Sequence, residues 1–204
     1  MELVLVRHGE TQWNVAGRFR GRADVPLNER GRQQATATAE RIAREWKPAA
    51  IYASPIVRAE QTAARVANEL WMEPSSDERL SDIDYGAWQG LTRDEVAARF
   101  PAELAMFEST PSLLRIPNGE DFTSVRQRVT AFLADIEARH ASETIAVIGH
   151  TEVNRILLLI ALHLPTDALW RIEQHPCAIS LLRCDAQQWT VVTMNDTCHL
   201  GALP

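Results

Sequence analysis

The feature that most constrains the fold of this chain is the alternation of short apolar segments with longer amphipathic ones. The early apolar segments lack polar alternation, a pattern typical of strands buried on both faces of a sheet. Strands are predicted at residues 3–6, 50–53, 144–148, 178–183 and 189–194. Helices are predicted at residues 30–46, 57–70, 120–138 and 152–162. This alternation predicts a three-layer α/β/α fold with a mostly parallel central sheet.

Segment 91–118 is predicted to be a small helical cap inserted into one domain that comprises residues 1–204. Residues 92–107 should form one or two short helices broken at Pro101, because proline cannot continue a helix. The preceding stretch, residues 75–90, has little periodicity and is predicted to be mostly loop. A chain of 204 residues is long enough to bury one sizeable core.

Charge and cysteine content restrict the partners. The formal net charge is −6, whereas nucleic-acid binders need a basic face, so no nucleic-acid partner is predicted. The apolar run 156–162 is too short to span a bilayer, so no membrane partner is predicted either. The 3 cysteines are scattered without CxxC spacing, and no secretory signal is recognisable. A cytoplasmic location with reduced thiols is therefore expected.

Two histidines follow two of the predicted parallel strands. Arg7 and His8 follow the strand at 3–6, and Gly149 and His150 follow the strand at 144–148. Ligands of open α/β sheets bind just beyond the carboxyl ends of the strands, so both rings could face one pocket. Arg7 offers a planar fork that suits phosphate oxygens, and Gly9 permits close approach of a ligand. A histidine between them is a plausible nucleophile toward phosphorus, although an ordinary loop histidine would fit the residues as well.

Several separated motifs resemble those of the histidine phosphatase superfamily, also called the phosphoglycerate-mutase-like family. They occur in the family's order and cover nearly the whole chain. The motifs are Arg7-His8-Gly9-Glu10-Thr11, Arg18-Phe19-Arg20-Gly21, Ser54-Pro55 with Arg58-Ala59, Asp84-Tyr85-Gly86-Ala87-Trp88-Gln89-Gly90, and Gly149-His150-Thr151. The resemblance implies a phosphatase that works without a metal or other cofactor on a small phosphorylated metabolite. No P-loop or metal-ligand spacing is present in the sequence.

The resemblance also implies roles for individual residues. His8 matches the histidine that accepts the phosphoryl group, and Asp82 falls where the family has its proton donor. The catalytic set is therefore His8, Asp82 and His150. The expected phosphate- and substrate-binding set is Arg7, Asn14, Arg20, Gly21, Arg58 and Thr151. Two arginines and a histidine around the phosphoryl group could stabilise its charge without a metal ion.

Three positions depart from the family pattern. Asp82 stands where a glutamate is usual, so a shorter carboxylate must reach the leaving group, with Asp84 and Glu152 as reserve candidates. Arg20 stands where a neutral glutamine or serine is common and adds a positive charge. Thr151-Glu152 replaces a sequence of small residues that often contains glycine, and Glu152 could lie at the rim of the site and select against highly anionic substrates, or be solvated.

Other functions remain open at this stage. A phosphoglycerate mutase would return the phosphoryl group to a second substrate hydroxyl, but the chain lacks the longer closing segment of such mutases. A catalytically weak phospho-ligand binding module is the third alternative. Phosphoserine, phosphoglycerate derivatives, sugar phosphates and α-ribazole phosphate all fit as substrates. The sequence leaves the oligomeric state open, a homodimer included.

Overall fold

A six-stranded sheet forms the middle layer of the protein, with the strand order β3-β2-β4-β1-β5-β6. The structure is a computed structural model and describes residues 1–201. The strands are β1 (Glu2–Arg7), β2 (Ala50–Ala53), β3 (Ser75–Ser76), β4 (Thr144–Gly149), β5 (Ile179–Asp185) and β6 (Gln188–Asp196). The first four strands run parallel to one another, whereas β5 is antiparallel to β1 and β6 is antiparallel to β5. The sheet is therefore mixed but mostly parallel, as predicted.

Helices cover both faces of this sheet. They are α1 (Gln12–Val15), α2 (Glu29–Glu45), α3 (Val57–Leu70), α4 (Arg93–Arg99), α5 (Pro101–Ser109), α6 (Phe122–Arg139) and α7 (Thr151–Ala161). Alternate residues of β1 point to opposite faces: Val4 and Val6 pack in a core with residues of α2 and α3. Leu3 and Leu5 pack in the other core, with residues of α6 and α7. The predicted three-layer α/β/α architecture is confirmed.

The pairing of β1 with β4 determines where the two histidines lie. The strands are parallel neighbours, and Arg7 is aligned with Gly149 at their carboxyl ends. The residue that follows each strand is a histidine. The amide of one of them, His8, donates to the Gly149 carbonyl at 3.0 Å. Two residues 142 positions apart in sequence are thereby brought to one edge of the sheet.

Segment 91–118 contains α4, α5 and a single 3₁₀ turn at Pro111–Leu113. Thr92 and Glu95 form a capping box at the start of α4, and Pro101 begins α5, so the predicted break at this proline is confirmed. Apolar side chains of the segment, among them Leu104 and Phe107, join the core on the α6 side. The segment thus rests on the layer that contains α6 and α7.

Several short elements were not predicted from the sequence. Helix α1 has only 4 residues, and a 3₁₀ segment spans Thr166–Arg171. The stretch predicted as loop, residues 75–90, also includes β3 and two 3₁₀ turns. Among the described residues no helix combines the length and the apolar character that crossing a bilayer requires.

Candidate active site

His8 lies at the centre of the site and is completely buried. Its Nδ1 is 2.7 Å from the Gly9 carbonyl oxygen, and Arg58 Nε lies 3.3 Å from its Nε2. Because the carbonyl can only accept and the guanidinium can only donate, Nδ1 carries the proton and Nε2 presents its lone pair. Burial lowers the pKa of His8 well below its usual value, and the positive charges of Arg58, Arg7 and Arg20 lower it further. The ring is neutral at neutral pH, with its nucleophilic nitrogen directed into the site.

Arg58 connects the groups of the site. This buried side chain, near the start of α3, donates to the Gly21 carbonyl at 2.7 Å and to the Ala23 carbonyl at 2.9 Å. It also donates to Asp82 Oδ2 at 2.9 Å, a fully buried ion pair. The guanidinium is therefore held in one orientation by four acceptors, including His8. Its Nε–H points at the His8 Nε2 lone pair.

Asp82 is buried and close to both histidine-bearing strands. Besides its ion pair with Arg58, its Oδ2 lies 3.6 Å from His150 Nδ1, and its Oδ1 accepts from the Ile83 amide at 3.0 Å. Burial raises the pKa of Asp82 to about 6, against the lowering effect of Arg58 and with a further increase from Glu152. A carboxyl group with such a pKa exchanges a proton near neutral pH.

His150 faces His8 at a ring-centroid distance of 5.2 Å. Its Nε2 is 2.8 Å from Ser54 Oγ, which also accepts from the Ile56 amide at 3.2 Å. Burial, followed by Arg58 and His8, lowers the pKa of His150 well below its usual value, so its approach to Asp82 is not an ion pair. His150 Nδ1, which faces Asp82 Oδ2, has no hydrogen-bond partner in the described chain. Sequence reasoning gave Ser54 no role, since its contact with His150 is non-local.

Arg7 and Arg20 add two more guanidinium groups. Arg7 is buried and donates to the Gln174 carbonyl, while Arg20 donates to the Arg18 carbonyl. Within residues 1–201 the Nε of each is buried without a partner. Burial, followed by the charge of Arg20, lowers the pKa of Arg7 to about 9, so Arg7 stays charged at neutral pH. Buried guanidinium groups with unused donors form a site for an anion.

The other expected binding residues lie around this cluster. Gly21 has a positive φ of 52° and presents its carbonyl to Arg58. Asn14 belongs to a capping box in which its Oδ1 accepts from the Thr11 amide at 2.9 Å. Thr151 begins α7 beside His150, and its buried Oγ1 has no partner among the described residues. No hydrogen bond within residues 1–201 joins the Asn14 side chain to His8, Arg58 or His150.

A pocket of about 400 Å³ adjoins the cluster and extends under segment 91–118. Its wall includes Phe19, Tyr85, Phe107 and Trp170, so we call it the aromatic pocket. The remaining lining residues are Gly17, Arg18, Arg20, Arg93, Leu104, Glu108 and Glu152. Glu152 was expected at the rim or in solvent, but it is only 5% exposed. The motifs that contain Phe19 and Tyr85 pointed to two residues of this wall, whereas Phe107 and Trp170 lie in distant segments without a motif.

The arrangement defines a class of protein. A neutral histidine nitrogen, surrounding guanidinium groups and a carboxyl group with a raised pKa are the components of phosphoryl transfer through a histidine nucleophile. Within residues 1–201 no group of three or more His, Cys, Asp and Glu side chains is arranged to hold a metal ion.

Comparison with known proteins identifies the family. The family model of the histidine phosphatase superfamily (branch 1) matches residues 3–197. The chain therefore belongs to the histidine phosphatase superfamily and is a phosphoric monoester hydrolase of that superfamily. The family and the enzyme class predicted from the sequence are both confirmed.

Relatives and solved structures agree with this assignment. The chain is 32% identical to "Phosphoserine phosphatase 1" of Hydrogenobacter thermophilus, over 98% of this chain and 95% of the relative. It is 35% identical to "Metal-independent phosphoserine phosphatase" of Arabidopsis thaliana, over 99% of this chain and 84% of the relative. The solved structure of "Bacillus stearothermophilus YhfR" has a TM-score of 0.91 and 35% identity, over 98% of both chains.

Proposed function

We propose that the chain hydrolyses phosphate monoesters of small metabolites, without a metal ion, through a phosphohistidine on His8 Nε2. The observation that carries the proposal is the neutral, buried His8, whose Nε2 lone pair faces a guanidinium donor at 3.3 Å. The names of two relatives, one of them described as metal-independent, support hydrolysis of a phosphorylated metabolite such as phosphoserine.

In the first step, His8 Nε2 attacks phosphorus while the bond to the leaving oxygen breaks. Arg58 Nε, released from the His8 lone pair, turns its hydrogen to a phosphoryl oxygen. The unused Nε donors of Arg7 and Arg20 stabilise the remaining charge, together with the Nδ1–H that His150 has when Ser54 donates to its Nε2. Protonated Asp82 gives its proton to the leaving alkoxide.

In the second step, the Asp82 carboxylate takes a proton from water, and the resulting hydroxide attacks the phosphohistidine. The bond from phosphorus to Nε2 breaks, inorganic phosphate leaves, and His8 returns to its neutral form. Asp82 ends the cycle protonated, as it began. A pKa of about 6 suits both halves of this cycle near neutral pH.

We propose further that the chain acts as one domain in the cytoplasm, with segment 91–118 as a cap over the leaving group. Arg93, Leu104, Phe107 and Glu108 of this segment line the aromatic pocket, which supports a role in enclosing the substrate. The net charge of −6 argues against nucleic acid as a partner.

Turnover of p-nitrophenyl phosphate in EDTA tests this proposal, together with rapid-quench labelling by ³²P-labelled substrate. We expect activity to survive the chelator and the label to be acid-labile, base-stable and located on His8. His8→Ala should abolish turnover, whereas His175→Ala, an exposed histidine, should not. Label on a serine or aspartate, or activity that EDTA abolishes and Mg²⁺ restores, would refute the mechanism. Phosphoryl transfer to a second substrate in place of water would indicate a mutase.

A further inference from the structure

Glu152 places a carboxylate in the wall of the aromatic pocket without a full set of partners. It is the second residue of α7 and follows directly on the site residues His150 and Thr151. Its Oε1 is 3.7 Å from the Arg155 guanidinium, a loose contact, and its buried Oε2 has no hydrogen-bond partner within residues 1–201. Because an unsatisfied buried carboxylate oxygen is costly, it indicates a group that is present only when the pocket is filled.

Arg155, which makes the loose contact with Glu152, and two of the three arginines in the pocket wall have other contacts. Arg155 donates to the Ile172 carbonyl at 2.7 Å, and its guanidinium lies over the Trp170 ring at 4.9 Å. At the pocket mouth, Arg18 pairs with Glu95, and Arg93 pairs with Glu108. The third arginine of the wall, Arg20, forms no ion pair with Glu152, so within residues 1–201 the contact with Arg155 at 3.7 Å is the one ion pair of Glu152.

Glu152 is connected with the leaving group of the substrate through Asp82. Its negative charge raises the pKa of Asp82, the group that would protonate the leaving oxygen. Tyr85, three residues after Asp82, lines the same pocket as Glu152, so a substrate with its phosphate at His8 would extend its alcohol portion past Asp82 toward the aromatic pocket. The terminal torsion of a glutamate is soft, so the carboxylate can turn toward a ligand there.

The aromatic side chains in the pocket wall restrict the charge of the chemical group that can bind there. Phe107 and Trp170 have ring centroids 4.5 Å apart, and Phe19 and Tyr85 have centroids 4.9 Å apart. Aromatic rings attract a cation, and so does a carboxylate among them. A second negative charge on the leaving group would instead be repelled by Glu152.

We propose that Glu152 determines specificity for phosphate monoesters of amino alcohols, whose leaving group carries a positively charged nitrogen. The ammonium would occupy the aromatic pocket, with its charge met by Glu152 and by the ring faces. This inference rests on the proposed function and adds the substrate class to it.

Matched pairs of esters test this inference. Phosphocholine is compared with 3,3-dimethylbutyl phosphate, and phosphoethanolamine with propyl phosphate, because each pair replaces the cationic nitrogen by carbon. We expect wild type to favour the cationic ester of each pair by about tenfold or more in kcat/KM. Glu152→Gln should reduce this ratio by about 10- to 100-fold, mainly through KM, as expected for one lost charged contact. Glu152→Asp should retain part of the preference, and Glu173→Gln, at an exposed carboxylate, should retain all of it.

The possible outcomes separate the two proposals. Wild type that hydrolyses p-nitrophenyl phosphate and the neutral esters, but shows no preference for the cationic ester of either pair, overturns the inference and leaves the proposed function intact. A Glu152→Gln enzyme that loses the cationic and neutral esters equally shows a structural role for Glu152 and also overturns it. Wild type that hydrolyses none of the esters and no p-nitrophenyl phosphate overturns the proposed function and the inference with it.

Discussion

Replacement of Asp82 by asparagine tests the assignment of the proton donor. Asparagine has nearly the shape of aspartate, and its amide oxygen can still accept from Arg58, which lies 2.9 Å from Asp82 Oδ2. The substitution therefore removes the exchangeable proton and the charge while the packing around this buried residue is retained. A loss of activity can then be attributed to proton transfer.

The expected loss of activity depends on the protonation of Asp82 and on how much general acid catalysis contributes to the rate. With a pKa of about 6, roughly a tenth of Asp82 is protonated at pH 7 and about nine-tenths at pH 5. General acid catalysis is worth about 10²–10⁴-fold, so we expect Asp82→Asn to lower kcat/KM for an alkyl phosphate by about that factor. For p-nitrophenyl phosphate we expect a loss of less than about tenfold, because its leaving group needs little help from an acid.

Steady-state kinetics with both substrates between pH 5 and 8 measure this effect. In wild type, kcat/KM for the alkyl phosphate should fall as the pH rises above about 6, because the protonated form of Asp82 disappears. For Asp82→Asn, kcat/KM for the alkyl phosphate should not show this fall above about pH 6. Asp84→Asn is the matched control, since the Asp84 carboxylate bonds to the Gly86 amide in the same loop. Equal losses on both substrates, or a larger loss for Asp84→Asn, would move the role away from Asp82.

Two further predictions concern Arg7 and Arg58, which we call the phosphate clamp, and the backbone beside His8. Arg7→Lys and Arg58→Lys keep the charge but lose the planar fork, so each should lower kcat/KM by about 10²–10³, whereas Arg65→Lys on the exposed face of α3 should not. Near-wild-type kinetics for both clamp variants would contradict this. Gly9→Ala would place a methyl group 2.5 Å from the Gly31 carbonyl oxygen and should destabilise the protein by about 1–3 kcal/mol in urea unfolding. Unchanged stability would show that the loop shifts freely.

The sheet and the pairing of the two histidines could be predicted because both leave local traces in the sequence. The runs that became β1 and β4 are apolar throughout, since both faces of the sheet are covered. A histidine follows each run directly. Because parallel strands bring their carboxyl ends to one edge, adjacency of β1 and β4 was enough to place His8 and His150 together.

The aromatic pocket could not be predicted, because its wall is built from contacts between distant segments. Phe19, Tyr85, Phe107 and Trp170 lie in separate loops and helices, and no period or spacing relates them. The hydrogen bond from Ser54 to His150 spans 96 residues and is equally invisible in the sequence. Helix α1 was missed for a different reason: four residues are too few to show a helical period.

Two residues that depart from the family pattern, Arg20 and Glu152, carry opposite charges that both act on Asp82. Arg20 adds a positive charge and Glu152 adds a negative one, and both side chains line the aromatic pocket. Their effects on Asp82 oppose each other, since Glu152 raises its pKa and Arg20 lowers it. Burial is the main cause of the raised pKa of Asp82, Arg58 opposes it, and the negative charge of Glu152 favours the protonated form further. The shorter carboxylate of Asp82 thus acts between two added charges of opposite sign, and a change at either Arg20 or Glu152 alone would disturb the acid as well as the pocket.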